Sequence, residues 1–248
     1  MITYDPILKI YSSDKLSNKQ YAGGFSTRAL GDGKKSDTLF HFFDESDISY
    51  KRIVWLKQIH SANVEVYSDH DSHGTARLTQ IEDTDGVITK DEDVVLVVQT
   101  ADCVPILFAD KSNGIIGASH QGWRGSYKKL AVRVVEKMVE NGAQIQNIVA
   151  AIGPSIGDCC YTVHEDRYIT MMEEIGEYAD KISSIRGGKR HVNLALLNYL
   201  LLVDAGMKKE NIDFFPFCTS CHKDMFFSYW REAKNLSGEM FSFILRKS

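Results

Sequence analysis

Residues able to do chemistry concentrate in one stretch, "TADCVPILFADKSNGIIGASHQGWRG", which runs from Thr100 to Gly125. It holds Cys103, His120 and Arg124 among apolar runs. A thiolate and an imidazole are both ligands for Zn2+, and copper suits the same donors. Asp102 precedes the thiol and offers a carboxylate that can orient an imidazole or move a proton. After His120, "QGWRG" leads towards a helix start near Ser126. Backbone N–H groups there, with the forked guanidinium of Arg124, would favour an anion such as phosphate. The structural alternative is a small buried thiol and a hydrogen-bonded histidine at a strand end. A ligand pair beside an anion cradle is better explained by chemistry than by packing.

The elements that must position these residues are short β-branched runs bounded by turn residues: 93–100, 104–110, 114–120 and 148–154. Asn113-Gly114 marks a tight turn between the second and third runs. Pairing them with Ala109 facing Gly114 sets Cys103 opposite His120, with Cβ atoms about 5 Å apart. A slip of one residue would separate the two, and Pro105 removes one ladder donor. The third ligand stays open among His60, His41, His70, His73, His164, His191 and His222. His60 closes the strand-like run "RIVWLKQIH", much as His120 closes its own. His70 and His73 fall in the polar stretch 68–86, which reads as surface loop with a short helical piece. A Cys/His/His set matches a catalytic zinc site with one open position.

Helical spacing follows. Leu130, Ala131, Val134, Val135, Met138 and Val139 form one apolar stripe, with Ser126 as N-cap and Gly142 just past the end. Two more helices are expected over 166–179 and 194–206. Strands and helices mix without a regular βαβ series. The fold class is therefore α/β or α+β around a mixed sheet, in one domain over 1–248.

The 248 residues are 44% hydrophobic and 25% charged, with net charge −4, which fits a folded globular chain. No Lys/Arg block points to nucleic acid. The start "MITYDPILKIYSSDK" lacks a signal-peptide pattern, and the longest apolar run, broken by Asn198, is too short to span a membrane. Five cysteines and no secretion signal favour a reducing, cytoplasmic setting.

"VWLKQIHSANV", "DTDGVIT", "TADCVPILF", "GASHQGWRG", "AIGPSIGDCCYTV" and "CTSCHKDMFFSYWR", in that order, resemble the signatures of the YfiH/YlmD laccase-domain family. The match runs from about Gly24 to Gly238. The resemblance implies a single-domain α/β sandwich similar to the cysteine-hydrolase toxin fold. It implies a zinc-dependent purine nucleoside phosphorylase acting on adenosine, inosine, guanosine and S-methyl-5′-thioadenosine, with adenosine deaminase side activity. Its partners would be purine nucleosides and phosphate, and the chain a monomer or homodimer. By motif, His60, Cys103 and His120 become the metal ligands, Arg28 and Arg124 fall near phosphate or substrate, and Gln58, Asp85 and Asp102 match family positions. Gln121, Thr162, Trp230 and Glu239 depart from the usual pattern, the last two where arginines are common.

Three alternatives remain. A copper-dependent polyphenol oxidase is the family's older label, but laccases proper use many histidines, often in His-x-His pairs, and none of the eight here is so paired. A cysteine hydrolase would use Cys103 as nucleophile and His120 as base. Some relatives are linked to editing of cytoplasmic peptidoglycan precursors. "CTSCH" and the adjacent Cys159 and Cys160 could complete a structural zinc site, but adjacent cysteines chelate poorly, so buried thiols are expected.

Overall fold

The computed structural model describes residues 1–71 and 76–248. Its frame is two mixed β-sheets packed face to face, with helices on their outer sides. The first sheet runs Ile2–Asp5, Ile10–Ser13, Tyr21–Ser26, Met240–Arg246, Val94–Thr100, Arg52–Leu56, Leu78–Ile81 in spatial order. The second runs Ile212–Phe214, Ile148–Ile152, Val104–Asp110, Ile116–Gln121, Gly86–Thr89, Val64–Tyr67. A small third sheet joins Thr162–Val163, Lys189–Val192 and Ser183–Arg186. The class is the mixed α/β one that the sequence suggests.

The continuous apolar runs reflect burial on both faces of a strand. Val94, Leu96 and Val98 meet Leu107, Ala109, Ile116 and Ala118 between the two sheets. Val95 and Val97 point the other way, onto Phe42 and Phe43 of the helix Ser36–Glu45. Ile106 and Phe108 face the helices Leu130–Glu140 and Leu194–Asp204. Alternate residues thus serve two cores, which fixes each strand's register. Among the described residues no helix is long and apolar enough to cross a membrane.

Some details differ from the expected ones. The hairpin register is offset by two residues: Ala109 pairs with Ile116, so His120 faces Pro105 and Cys103 lies just before the strand. The cause is the turn. The fully buried Asp110 carboxylate accepts from Ser112 N and Asn113 Nδ2, and Gly114 takes a left-handed φ of 69° inside the loop rather than opening the next strand. An even offset keeps every side chain on its face, so Cys103 and His120 still share a side.

Ser126 is no N-cap. A short helix, Trp123–Tyr127, ends there, Lys129 turns left-handed, and the long helix starts at Leu130. The Ser126 hydroxyl instead accepts from buried Asn198. Gly142 does follow the helix end with a positive φ, while Val139 of the expected stripe is exposed. The expected helix over 166–179 is split into Glu165–Ile175, a 3-10 turn and Ala179–Ile182. His70 is exposed in a short 3-10 turn, and His73 lies outside the described residues.

Candidate metal centre

His60, Cys103 and His120 come together. Their ligand atoms all lie within 4.8 Å of one another, and Cys103 Sγ is 3.8 Å from His60 Nε2. His120 belongs to the strand Ile116–Gln121 of the second sheet. Cys103 follows the end of Val94–Thr100 in the first sheet, and His60 follows the end of Arg52–Leu56. The site thus sits where the two sheets meet, at the C-terminal ends of three strands.

One buried carboxylate organises it. Asp85 Oδ1 accepts from His120 Nδ1 at 2.8 Å and from the His60 backbone N–H at 3.1 Å. Oδ2 accepts from Ile59 N, Ser61 N and the Ser61 hydroxyl. These bonds hold the 58–61 turn, including His60 at a left-handed φ of 60°, a conformation that costs a non-glycine residue about 1–2 kcal/mol. They also fix the tautomer. With Nδ1–H donated to a carboxylate, His120 Nε2 is the nitrogen free to bind a metal. Burial alone would raise the Asp85 carboxyl, but the hydrogen bonds from His120 and Ser61 outweigh it and hold it below the ordinary value.

Two imidazoles and a thiol, converging from rigid elements, fit a zinc or copper ion. Burial alone would raise the Cys103 thiol, yet the neighbouring His120 and His60 pull it down to about 7. Burial alone would lower His120, yet Cys103 and Asp85 push it up to about 10. In the metal-free protein the pair therefore tends towards thiolate and imidazolium. Metal binding must displace the His120 proton, and below about pH 7 the Cys103 proton as well. From these two groups, apparent affinity should rise roughly tenfold per pH unit between about 7 and 10 and roughly a hundredfold per unit below 7. Competitive chelator titrations across this range check the slope; a flat profile would contradict the assignment.

The fit at His60 is tight. A Cβ at Gly122 would lie 2.4 Å from His60 Cδ2, so Gly122→Ala should swing the ring aside. The φ of Gly122, −65°, suits alanine, so the loss should appear in metal affinity, by about tenfold or more, with the unfolding midpoint nearly unchanged.

The three ligands line a cavity of about 740 Å³, within the range that holds small organic ligands. Its wall includes Trp123, Tyr161, Arg167, Trp230, Lys34 and Gln58. Tyr161 and Trp230 meet edge to face, 5.5 Å between centroids. Trp123 carries two guanidinium groups, Arg124 at 4.5 Å and Arg167 at 4.7 Å from the ring centre, and of these only Arg167 lines the cavity.

Other expected site residues are placed differently. Asp102 does not contact either histidine ring; that position is Asp85's. Its carboxylate accepts from the hydroxyls of Thr219 and Ser228 and from Trp230 N, which ties the C-terminal segment to the cavity wall. Burial raises its pKa despite these donors. Gln58 lines the cavity, but its amide exchanges two hydrogen bonds with the Gln99 backbone. Arg28 lies outside the cavity wall, paired with Glu232 and stacked on Phe227. Trp230 and Glu239, the two departures where the family pattern has arginine, both line the cavity. The sequence gives no signal for Arg167 or Tyr161 as site residues; Arg167 reads there only as part of the helix expected over 166–179.

A cavity at the junction of two sheets, with a Cys/His/His group able to hold a metal ion on one wall, is the candidate functional site. The profile of the family described as multi-copper polyphenol oxidoreductase laccase matches residues 37–247, and the chain belongs to that family. It is 29% identical to "Purine nucleoside phosphorylase YlmD" of Bacillus subtilis, over 96% of this chain and 93% of that one. It is 35% identical to "Adenosine deaminase RL5" of an unknown prokaryotic organism, over 79% of this chain and 75% of that one. The crystal structure of hypothetical protein YfiH from Bacillus licheniformis superposes with a TM-score of 0.88 at 28% identity, covering 99% of each chain.

Proposed function

We propose that this chain is a zinc-dependent purine nucleoside phosphorylase, acting on adenosine, inosine, guanosine and S-methyl-5′-thioadenosine. The observation that carries the reading is the His60/Cys103/His120 cluster opening onto an aromatic cavity large enough for a nucleoside. The name of the Bacillus subtilis relative points the same way.

In phosphorolysis a phosphate oxygen bonds to C1′ of the sugar while the C1′–N9 bond breaks. The bonding electrons leave with the purine, which takes up a proton. Zinc held by the three ligands would supply Lewis acidity towards phosphate or water oxygen. Trp230, Tyr161 and Trp123 provide apolar faces for the base, and Arg167 and Lys34 bring positive charge to the anionic co-substrate. Asp85 keeps His120 in the tautomer that presents Nε2. Asp102 is a positioning residue for the wall that carries Trp230.

Two other readings rest on specific observations. Adenosine deamination is supported by the name of the relative that is 35% identical. Copper-dependent polyphenol oxidation is supported by the family description, but among the described residues only one ligand cluster contains histidine. The deciding experiment incubates metal-analysed protein with adenosine, inosine and S-methyl-5′-thioadenosine, with and without phosphate. Release of base together with a sugar 1-phosphate, only when phosphate is present, is expected. Base release without phosphate, ammonia as the sole product, or dioxygen uptake with phenols would each overturn the proposal.

A further inference from the structure

The second cluster of soft donors lies outside the cavity wall. Cys159, Cys160, Cys218 and Cys221 come from two segments about sixty residues apart, and their sulfurs all lie within 4.8 Å of one another. Cys221 Sγ is 3.6 Å from Cys159 Sγ and 3.4 Å from Cys160 Sγ. A tetrahedral zinc tetrathiolate has Zn–S bonds of about 2.3 Å, which places the sulfurs about 3.8 Å apart. The observed spacing is close to that, and too long for a disulfide at about 2.05 Å.

Adjacent cysteines chelate poorly only on an extended backbone, where neighbours point to opposite sides. Here they lie in a turn. The Gly157 carbonyl accepts N–H from both Cys160 and Tyr161, which curls both thiols towards Cys221. The turn is fixed from outside as well. His191 Nδ1 donates to the Asp158 carbonyl at 2.6 Å, and Arg186 bonds the Asp158 carboxylate at 2.9 Å. On the other segment, Cys218 is buried and is held against the first by a β-bridge to Ser155, whose carbonyl also accepts the Thr219 N–H at 3.0 Å. Gly157 eases this close approach: a Cβ there would lie 3.2 Å from both Cys159 Sγ and Cys218 Cβ, tighter than an ordinary contact.

We propose that these four cysteines form a second metal site, a structural zinc tetrathiolate separate from the Cys/His/His centre. It would clamp the turn 157–161, which ends in Tyr161, to the segment 218–231, which carries Trp230. Those two rings touch in the cavity wall. The zinc would therefore hold one side of the cavity together without touching its contents.

The test is zinc counting by native mass spectrometry on the full chain, purified with reductant and zinc. A His60→Ala/His120→Ala variant, which removes the first centre, should keep one zinc per chain. Adding Cys218→Ser and Cys221→Ser should remove it. A measurement on the unsubstituted protein covers the case in which the cysteine variants fail to fold: the four thiols should resist alkylation until a strong chelator is added, then all react. Loss of all zinc from the histidine variant together with immediate alkylation of the four thiols would overturn the proposal. So would a mass 2 Da low for each of one or two disulfides, which would assign the cluster to redox chemistry instead.

Discussion

Cys103→Ala is expected to empty the Cys/His/His centre and to lower kcat/KM for nucleoside phosphorolysis by about a thousandfold or more, an effect of several kcal/mol on the transition state. The chain should stay folded. Cys103 is only half-buried, sits between strands rather than in one, and its sulfur contacts the two histidines rather than a packed core. Removing it leaves two imidazoles whose positions are fixed independently, His120 by its strand and Asp85, and His60 by the 58–61 turn. Two neutral donors hold a divalent ion far more weakly than two plus a thiolate. Zinc analysis and kinetics on one preparation check the prediction. A Cys103→Ala protein that keeps both zinc at this centre and full phosphorolysis would refute it. If activity is lost while chelators leave the unsubstituted enzyme unaffected, Cys103 acts as a nucleophile instead.

Asp85→Asn should do comparable damage by another route, with a stability cost besides. The carboxylate accepts five hydrogen bonds, and an amide can accept at only one of its two ends. If the amide NH2 faces Oδ2's partners, Ile59 N, Ser61 N and the Ser61 hydroxyl lose their acceptor. If it faces Oδ1's partners, the His60 N–H is orphaned and His120 must accept at Nδ1, which moves its proton to Nε2 and blocks the metal-binding nitrogen. Each stranded donor costs about 1–3 kcal/mol and the amide settles in the less costly orientation, so destabilisation of about 1–3 kcal/mol is expected. Loss of the carboxylate behind a ligand histidine should weaken zinc binding by about 10- to 100-fold. Denaturant unfolding and chelator competition read the two effects separately. An Asn variant with unchanged affinity would remove Asp85 from the site.

How far the sequence shows this arrangement follows from what spacing can encode. The strand runs are legible because both faces are buried, but that same feature hides which face serves which core. The hairpin is legible from Asn113-Gly114, while its register depends on Asp110 folding the turn around its own carboxylate, a contact that composition does not specify. Adjacent residues mislead most. Asp102 follows the end of a strand beside Cys103, yet its carboxylate binds Thr219, Ser228 and Trp230. Asp85, distant in sequence from every ligand, is the one that binds His120. Arg124 is near His120 in sequence but stacks on Trp123 without lining the cavity, and the guanidinium in the wall is that of Arg167, on a later helix. The helix Ser36–Glu45 is not legible in the sequence because Leu39, Phe42 and Phe43 give too short a stripe. The adjacency of Cys159 and Cys160 argues against chelation only on an extended backbone, and the 157–161 turn is not extended.

The most direct measurement is anomalous diffraction across the zinc edge from crystals grown with zinc. A strong peak among His60 Nε2, Cys103 Sγ and His120 Nε2, within ordinary zinc–ligand distance of all three, is the predicted result. Zinc-loaded crystals with no peak at that place, or with those three side chains turned away from one another, would contradict the account.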